Sequence, residues 1–313
     1  MKRALLFPGQ GSQAIGMGKE LCGAFQAAKD VFQEVDDALN QKLSLLMFDG
    51  SDADLKLTEN TQPALMAVSM AVVRVLEKQG GKKLTDLASY VAGHSLGEYA
   101  ALCAAGTFTL SDTARLLRKR GSAMQAAVPV GVGSMAALLG VDMQQAAEVA
   151  SEAAQGQVCA TANDNSVGQV VISGHKEAIE RAVAIAATKG FKRSVILPVS
   201  APFHCALMQP AADVMQEALA QVKMNAPMVP VIANVTASEQ TDVNEIRKLL
   251  VAQVTGAVRW RESMLYLKEK GVEGAIEAGS GNVLAGLMKR IDKELQVTSL
   301  HTPQDIEAFL KTV

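Results

Sequence analysis

The sequence has no excess of either charge. Its 30 Lys and Arg nearly balance 32 Asp and Glu, giving a net charge of −2 and a pI near 6.1. The basic residues are scattered through expected helices and form no stripe, so there is no electrostatic footprint for nucleic acid, and none is expected as a partner. Long apolar runs are also missing. None reaches the ~20 residues of a membrane span, so no membrane association is expected. At the N-terminus, two basic residues precede only four apolar ones before Pro8-Gly9, too few for the core of a secretory signal. Cysteine is sparse: Cys22, Cys103, Cys159 and Cys205 lie far apart and form neither a CxxC pair nor a disulfide framework. They read as reduced, buried thiols of a cytoplasmic protein. The four histidines, His94, His175, His204 and His301, show no ligand spacing with one another or with cysteine, so no metal is expected.

What is present is an ordinary globular composition, 49% hydrophobic and 20% charged over 313 residues, enough for one large domain or two unequal ones. Within VAGHSLGEYAAL, at 91–102, one serine stands between two glycines, Gly93-His94-Ser95-Leu96-Gly97. An apolar strand pattern over 87–92 precedes it and a Leu- and Ala-rich helix pattern over 96–105 follows. Ser95 therefore sits on a sharp strand-to-helix turn, where side chains at both flanks would clash and glycine relieves the clash. Such a turn holds a hydroxyl out beyond the sheet at a helix N-terminus, the geometry of a nucleophile elbow. A tight turn that merely carries a serine has the same local pattern, so partners must decide.

Strand and helix patterns alternate along most of the chain. A strand over 4–7 runs into a glycine-rich loop. Helical patterns over 17–42, a helix over 64–78 and another over 111–126 flank the elbow, and the alternation resumes from 207 to the end. This predicts a mostly parallel sheet covered on both faces. Between them, strand 133–140, helix 143–154, strands 158–162 and 169–173, helix 177–189 and strand 193–197 give the order βαββαβ, that of a ferredoxin-like unit. The expected architecture is a hydrolase-like α/β domain over 1–128 and 198–313, interrupted by a ferredoxin-like α+β subdomain over 129–197. Pro129 with Gly131, and Pro198 with Pro202, mark the joins.

An activated serine needs a base within reach, most often histidine. His94 adjoins Ser95, so its side chain points elsewhere; His175 and His301 each lie near the start of a helix. His204 follows a strand end and a proline-stiffened loop, where it can meet the elbow, although a lone histidine there ordinarily caps the next helix.

GQGSQ near the N-terminus, TQPA at 61–64, GHSLGEYAAL, Arg120-Gly, NDNSVGQVVISG at 163–174, PVSAPFHCALMQPAA, Val258-Arg-Trp and GSGNVLAGLMKRI at 279–291 occur in this order. Together they resemble the malonyl-CoA:acyl carrier protein transacylase family of bacterial fatty-acid synthesis, over nearly the whole chain. The resemblance implies the interrupted fold described above and a Ser–His pair without a carboxylate. It makes Ser95 the nucleophile and His204 its base, oriented by the backbone carbonyl of Gln253, with the N–H groups of Gln10 and Leu96 as an oxyanion hole. It places Arg120 on the malonyl carboxylate, a task suited to a planar fork. Position alone does not single this residue out, since Arg115 and Arg118 share its helix. Phe203 resembles the bulky residue of malonyl-selective relatives, and Gln62 and Asn165 match polar pocket positions more loosely.

The implied partners are malonyl-CoA and acyl carrier protein, with no cofactor beyond the thioester carriers. Because such carriers are acidic, Lys189, Lys192 and Arg193 are docking candidates. A transferase of polyketide assembly or malonate decarboxylation shares almost every motif. A serine thioesterase or hydrolase shares the elbow, but no acidic third member is equally supported. A non-catalytic carrier-binding module is disfavoured by the presence of both Ser95 and His204.

Overall fold

In a computed structural model, residues 2–191 and 193–313 are described. Five strands, β1 (Arg3–Phe7), β2 (Tyr90–Gly93), β7 (Val231–Ala233), β9 (Gly274–Ala278) and β10 (Gln296–Leu300), with the short β8 (Ser238–Gln240), form a sheet in the order β10-β9-β1-β2-β7-β8. All its pairs are parallel except the edge hairpin β7–β8. The central strands are largely apolar, with Glu277 of β9 an exception, and are buried at every residue in β2 and β9, because helices cover both faces.

On one face lies the helix Thr58–Gly80, buried without interruption from Asn60 to Val73, as expected of a helix apolar all round. The helices Gln26–Leu39 and Leu110–Ala126 pack beside it in the larger core. Trp260, Met264 and Leu267 of helix Trp260–Glu269 form the second core on the other face with Leu284, Leu287 and Met288. The first of these helices begins six residues before the expected 64. Pro63 lies inside it, and the turn ahead of it is closed by backbone bonds from Asn60 and Thr61 to the Leu57 carbonyl and by the Thr61 hydroxyl on Leu55 O.

The chain then builds a separate four-stranded antiparallel sheet from β3 (Gly133–Leu139), β4 (Cys159–Ser166), β5 (Gln169–His175) and β6 (Arg193–Ile196). Its order is β4-β5-β3-β6, with helices Met143–Ala154 and Lys176–Thr188 burying a third core. This is the ferredoxin-like arrangement predicted from the element order.

Strand β4 runs four residues past the expected 162, through Asn163-Asp164-Asn165, because its polar end is stitched to the large sheet's loops. Asp164 N–H donates to Val258 O at 2.9 Å and Val258 N–H to Ala162 O at 2.8 Å. The Asp164 carboxylate, 1% exposed, takes both Nε (3.0 and 3.1 Å) and Nη2 (2.8 Å) of Arg261. Side chains alternate along a strand. Asp164 thus faces Arg261 of helix Trp260–Glu269 while Asn163 and Asn165 face the cleft between the two sheets. All four cysteines are free, but only Cys103 and Cys205 are buried; Cys22, on the short helix Lys19–Ala24, and Cys159, the first residue of β4, are half-buried.

Candidate active site

The cleft encloses about 600 Å³. Its floor is the elbow. A Cβ on Gly93 falls 1.9 Å from both carbonyl atoms of Gly97, and one on Gly97 falls 2.3 Å from Phe7 O, so the strand can turn into helix Gly97–Ala104 only with glycine at both positions. Ser95 has φ +54°, as sharp turns of this kind demand. Its N–H donates to Asn234 Oδ1 at 2.8 Å, and Asn234 Nδ2 donates to Gly93 O at 2.7 Å. One asparagine thereby clips both sides of the turn.

Across the cleft, His204 sits in the loop after β6, also with positive φ, +58°. Its Nε2 lies 2.8 Å from Ser95 Oγ. Nδ1 lies 2.9 Å from Gln253 O and 3.1 Å from Gly256 O. Carbonyls only accept, so Nδ1 carries the proton and Nε2 is left to accept from the serine. Burial, reinforced by the Arg120 charge, pushes the imidazole down to about 3. It is neutral at physiological pH, the form a base requires.

Arg120, from helix Leu110–Ala126, is 1% exposed. Nη1 donates to Gln62 Oε1 at 2.7 Å, while Nη2 donates to Gln253 Oε1 at 2.8 Å and to Ser95 Oγ at 3.2 Å. Exposed Arg115, on the same helix, pairs with half-buried Asp112, and Arg118 bonds Asn60 and Gln41; neither lines the cleft. Asn165 Oδ1 accepts from His94 Nε2 at 2.8 Å, so His94, although directed away from Ser95, closes the same cavity beside Trp260. Phe203 forms an apolar wall.

Gln10 and Leu96 border the cavity on the serine side. Among the described residues, neither backbone N–H has a protein acceptor. The Ser95 N–H is already taken by Asn234, which leaves the Leu96 N–H as the elbow's free donor. The Gln10 loop is braced from behind: Ser280 Oγ donates to Ser12 O at 2.7 Å. Glu277, at the end of β9, accepts from the N–H groups of Leu284 and Ala285 at 2.9 Å and so fixes the helix that follows the Gly279–Asn282 turn. The GSGN motif supports the glycine loop and does not itself reach the cleft.

Of the nine residues singled out in the sequence, eight line one cavity. Gln253 lies just beneath it. The structure adds three. Asn163 lines the cavity. Glu98, 2% exposed, and Asn234 lie under the elbow with Gln253: Glu98 Oε2 accepts from Gln253 Nε2 at 2.7 Å and from Asn234 N–H at 3.1 Å. Burial raises the Glu98 carboxyl to about 7, against the lowering effect of Gln253, Asn234 and Arg120.

A carboxyl whose folded value lies above its unfolded one holds its proton longer in the folded state, so its share of stability is present below the ordinary carboxylate range and is lost as pH rises toward 7. Glu98→Gln is therefore expected to gain stability over the parent between pH 4.5 and 7 by up to about 1.4 kcal/mol per pH unit. Denaturant melts at three pH values check this; a difference that does not change with pH refutes it.

A hydroxyl bonded to a neutral imidazole, two N–H groups beside it without a protein acceptor and a buried guanidinium are the groups that acyl transfer to a serine from a negatively charged substrate would require. Residues 4–300 match the acyl transferase domain family. The malonyl CoA-acyl carrier protein transacylase of Escherichia coli K12 is 46% identical over 98% of both chains. The solved acyl-carrier-protein-S-malonyltransferase of Bartonella henselae is 56% identical with a TM-score of 0.97, covering 100% of this chain and 99% of that one. A malonyl-transacylase solved in complex with a type II PKS acyl-carrier protein is 41% identical with a TM-score of 0.96 over the whole of both chains. The chain belongs to the acyl transferase domain family.

Proposed function

We propose that this protein is a malonyl-CoA:acyl carrier protein transacylase that works through a malonyl ester on Ser95. One observation carries the reading: Ser95 Oγ lies 2.8 Å from His204 Nε2 and 3.2 Å from Arg120 Nη2, so nucleophile, base and a buried cation converge on one hydroxyl. Neutral His204 accepts the serine proton as Oγ attacks the thioester carbonyl. The oxyanion develops before the N–H groups of Gln10 and Leu96, and the imidazolium returns its proton to the departing CoA thiolate. The phosphopantetheine thiol of the carrier then attacks the ester, with His204 again moving the proton.

The low pKa of His204 has a role in this sequence. Part of its depression comes from Arg120, and a malonyl carboxylate on the guanidinium offsets that charge. The imidazole becomes a stronger base once the correct acyl group is seated.

No cofactor beyond CoA and phosphopantetheine enters the scheme. A cytoplasmic location and the division into 1–128 with 198–313, and 129–197, belong to the same proposal. Among the described residues no helix is long and apolar enough to cross a membrane. For carrier docking, Lys189 already pairs with Glu152 at 2.9 Å and Lys192 lies outside the described residues, which leaves Arg193, exposed at the start of β6, as the better-supported candidate. Intact masses of enzyme and carrier protein after incubation with malonyl-CoA test the function. Each is expected to gain one malonyl group; hydrolysis with an unmodified carrier would instead indicate a thioesterase.

A further inference from the structure

Arg120 is a buried cation without an anionic partner. Among the described residues no carboxylate lies within ion-pair distance of it. Its hydrogen-bond partners, Gln62, Gln253 and Ser95, are all neutral, and Nε has none. The Tyr99 ring, 5.7 Å from the guanidinium carbon, is a further neutral neighbour, and a buried charge met only by neutral groups is costly. Glu98 presents the complementary anomaly, a carboxyl buried under the elbow with no cation in contact. A single amide stands between them: Gln253 Oε1 accepts from Arg120 Nη2 at 2.8 Å and Nε2 donates to Glu98 Oε2 at 2.7 Å. The amide cannot reverse, because Nε2 also donates to Ser95 O at 3.0 Å. Its oxygen faces the cation and its N–H the acid, so its dipole is aligned with both charges.

We propose that Glu98 is the counter-charge of Arg120, joined to it through the Gln253 side-chain amide, and that it takes up a proton when a substrate carboxylate docks on the guanidinium. A direct Arg–carboxylate fork would fill the donors that the substrate needs. The interposed amide supplies charge compensation without a carboxylate on the guanidinium, and a second N–H on Nη1 and the N–H on Nε stay without a protein partner to receive a second anion. When that anion arrives, two carboxylates share one cation, and the buried one is the one to be neutralised. One proton passes from solvent to Glu98, and the substrate carboxylate stays ionised.

Other groups around Glu98 permit this. Arg120 from helix Leu110–Ala126 and Tyr99 of its own helix are the ionisable groups that act on it, and burial keeps the Tyr99 phenol neutral. The segments at Asn234 and Gln253 present amides. His204, on the far side of Arg120, is neutral. Burial holds Glu98 near 7 with Arg120 as a lowering influence, so losing that influence raises it further.

The proposal rests on the reading that Arg120 receives the malonyl carboxylate, and the test separates the two. In a Ser95→Ala background that blocks turnover, binding of malonyl-CoA and of acetyl-CoA is measured calorimetrically at pH 7.5 in buffers of different ionisation enthalpy. Malonyl-CoA is expected to take up roughly half a proton or more beyond acetyl-CoA, which cancels any contribution of the CoA phosphates. Glu98→Gln in the same background is expected to bind malonyl-CoA with that excess abolished. Equal uptake for the two thioesters in the Ser95→Ala protein overturns the proposal without need of the Glu98 variant, and so does an excess that survives Glu98→Gln. If Arg120→Ala leaves malonyl-CoA affinity unchanged, the reading of Arg120 itself fails.

Discussion

Ser95→Ala yields no acyl-enzyme, and His204→Ala slows acylation by about 10²–10⁴-fold, the range in which a positioned base contributes. Both expectations follow from the geometry of the hydroxyl. Its proton points to His204 Nε2 at 2.8 Å, because the other imidazole nitrogen is committed to the Gln253 and Gly256 carbonyls. Without the imidazole the serine keeps its proton at neutral pH and attacks slowly. A thiol ionises far more readily, so Ser95→Cys combined with His204→Ala should acylate faster than His204→Ala alone. Equal loss in the two variants counts against the base role. Peptide mapping of the malonyl-loaded enzyme decides the nucleophile: a label on any peptide lacking Ser95 removes the assignment.

Arg120→Ala lowers kcat/KM for malonyl-CoA by about 10²-fold or more, on the scale of a lost charge-assisted pair, and leaves acetyl-CoA unchanged or improved. The malonyl carboxylate must leave water to reach the cleft, and the guanidinium offsets that desolvation. On the proposed role, acetyl-CoA brings no anion and leaves the buried cation unanswered, so one residue would attract the first substrate and penalise the second. Arg120→Lys is expected to rescue little, since a single ammonium nitrogen cannot span Gln62 and Gln253, which two separate guanidinium nitrogens reach, or offer a planar fork to a carboxylate. Equal slowing of both thioesters would make Arg120 a structural or CoA-binding residue.

The elbow could be read from the sequence because its physics is local: two glycines four residues apart between a strand and a helix have few other uses. The βαββαβ insertion was readable for a similar reason, since short elements of distinct periodicity fix the pairing order. His204 stood out through its proline-stiffened loop. Arg120 did not, because Arg115 and Arg118 occupy the same helix and only packing against Gln62 and Gln253 distinguishes it; the family resemblance identified it. Glu98 was illegible for a different reason. An acidic residue in the first turn of a helix is what a solvated helix start carries, and nothing in the spacing says that this turn lies under a sheet edge. Asn234 is a lone polar residue at the end of β7, tied to Ser95 across 139 positions. The short helix Trp260–Glu269 and strand β8 were likewise not read, the latter because a three-residue edge strand leaves almost no pattern.

The insertion of the small sheet between helix Leu110–Ala126 and the histidine loop also bears on how the protein is made. Ser95 and Arg120 lie before it, whereas His204, Asn234, Gln253 and the Val258 segment that β4 grips all lie after it. A nascent chain that has left the ribosome as far as β6 carries a serine without a base and an arginine lacking one of its two amide partners. Domains fold in order as they are synthesised, and here the last pieces of the reactive centre come from residues 253–261. On the proposed mechanism a partly translated chain is therefore expected to load malonyl groups or hydrolyse malonyl-CoA only very slowly, full acylation competence arriving after more than four-fifths of the chain has been synthesised.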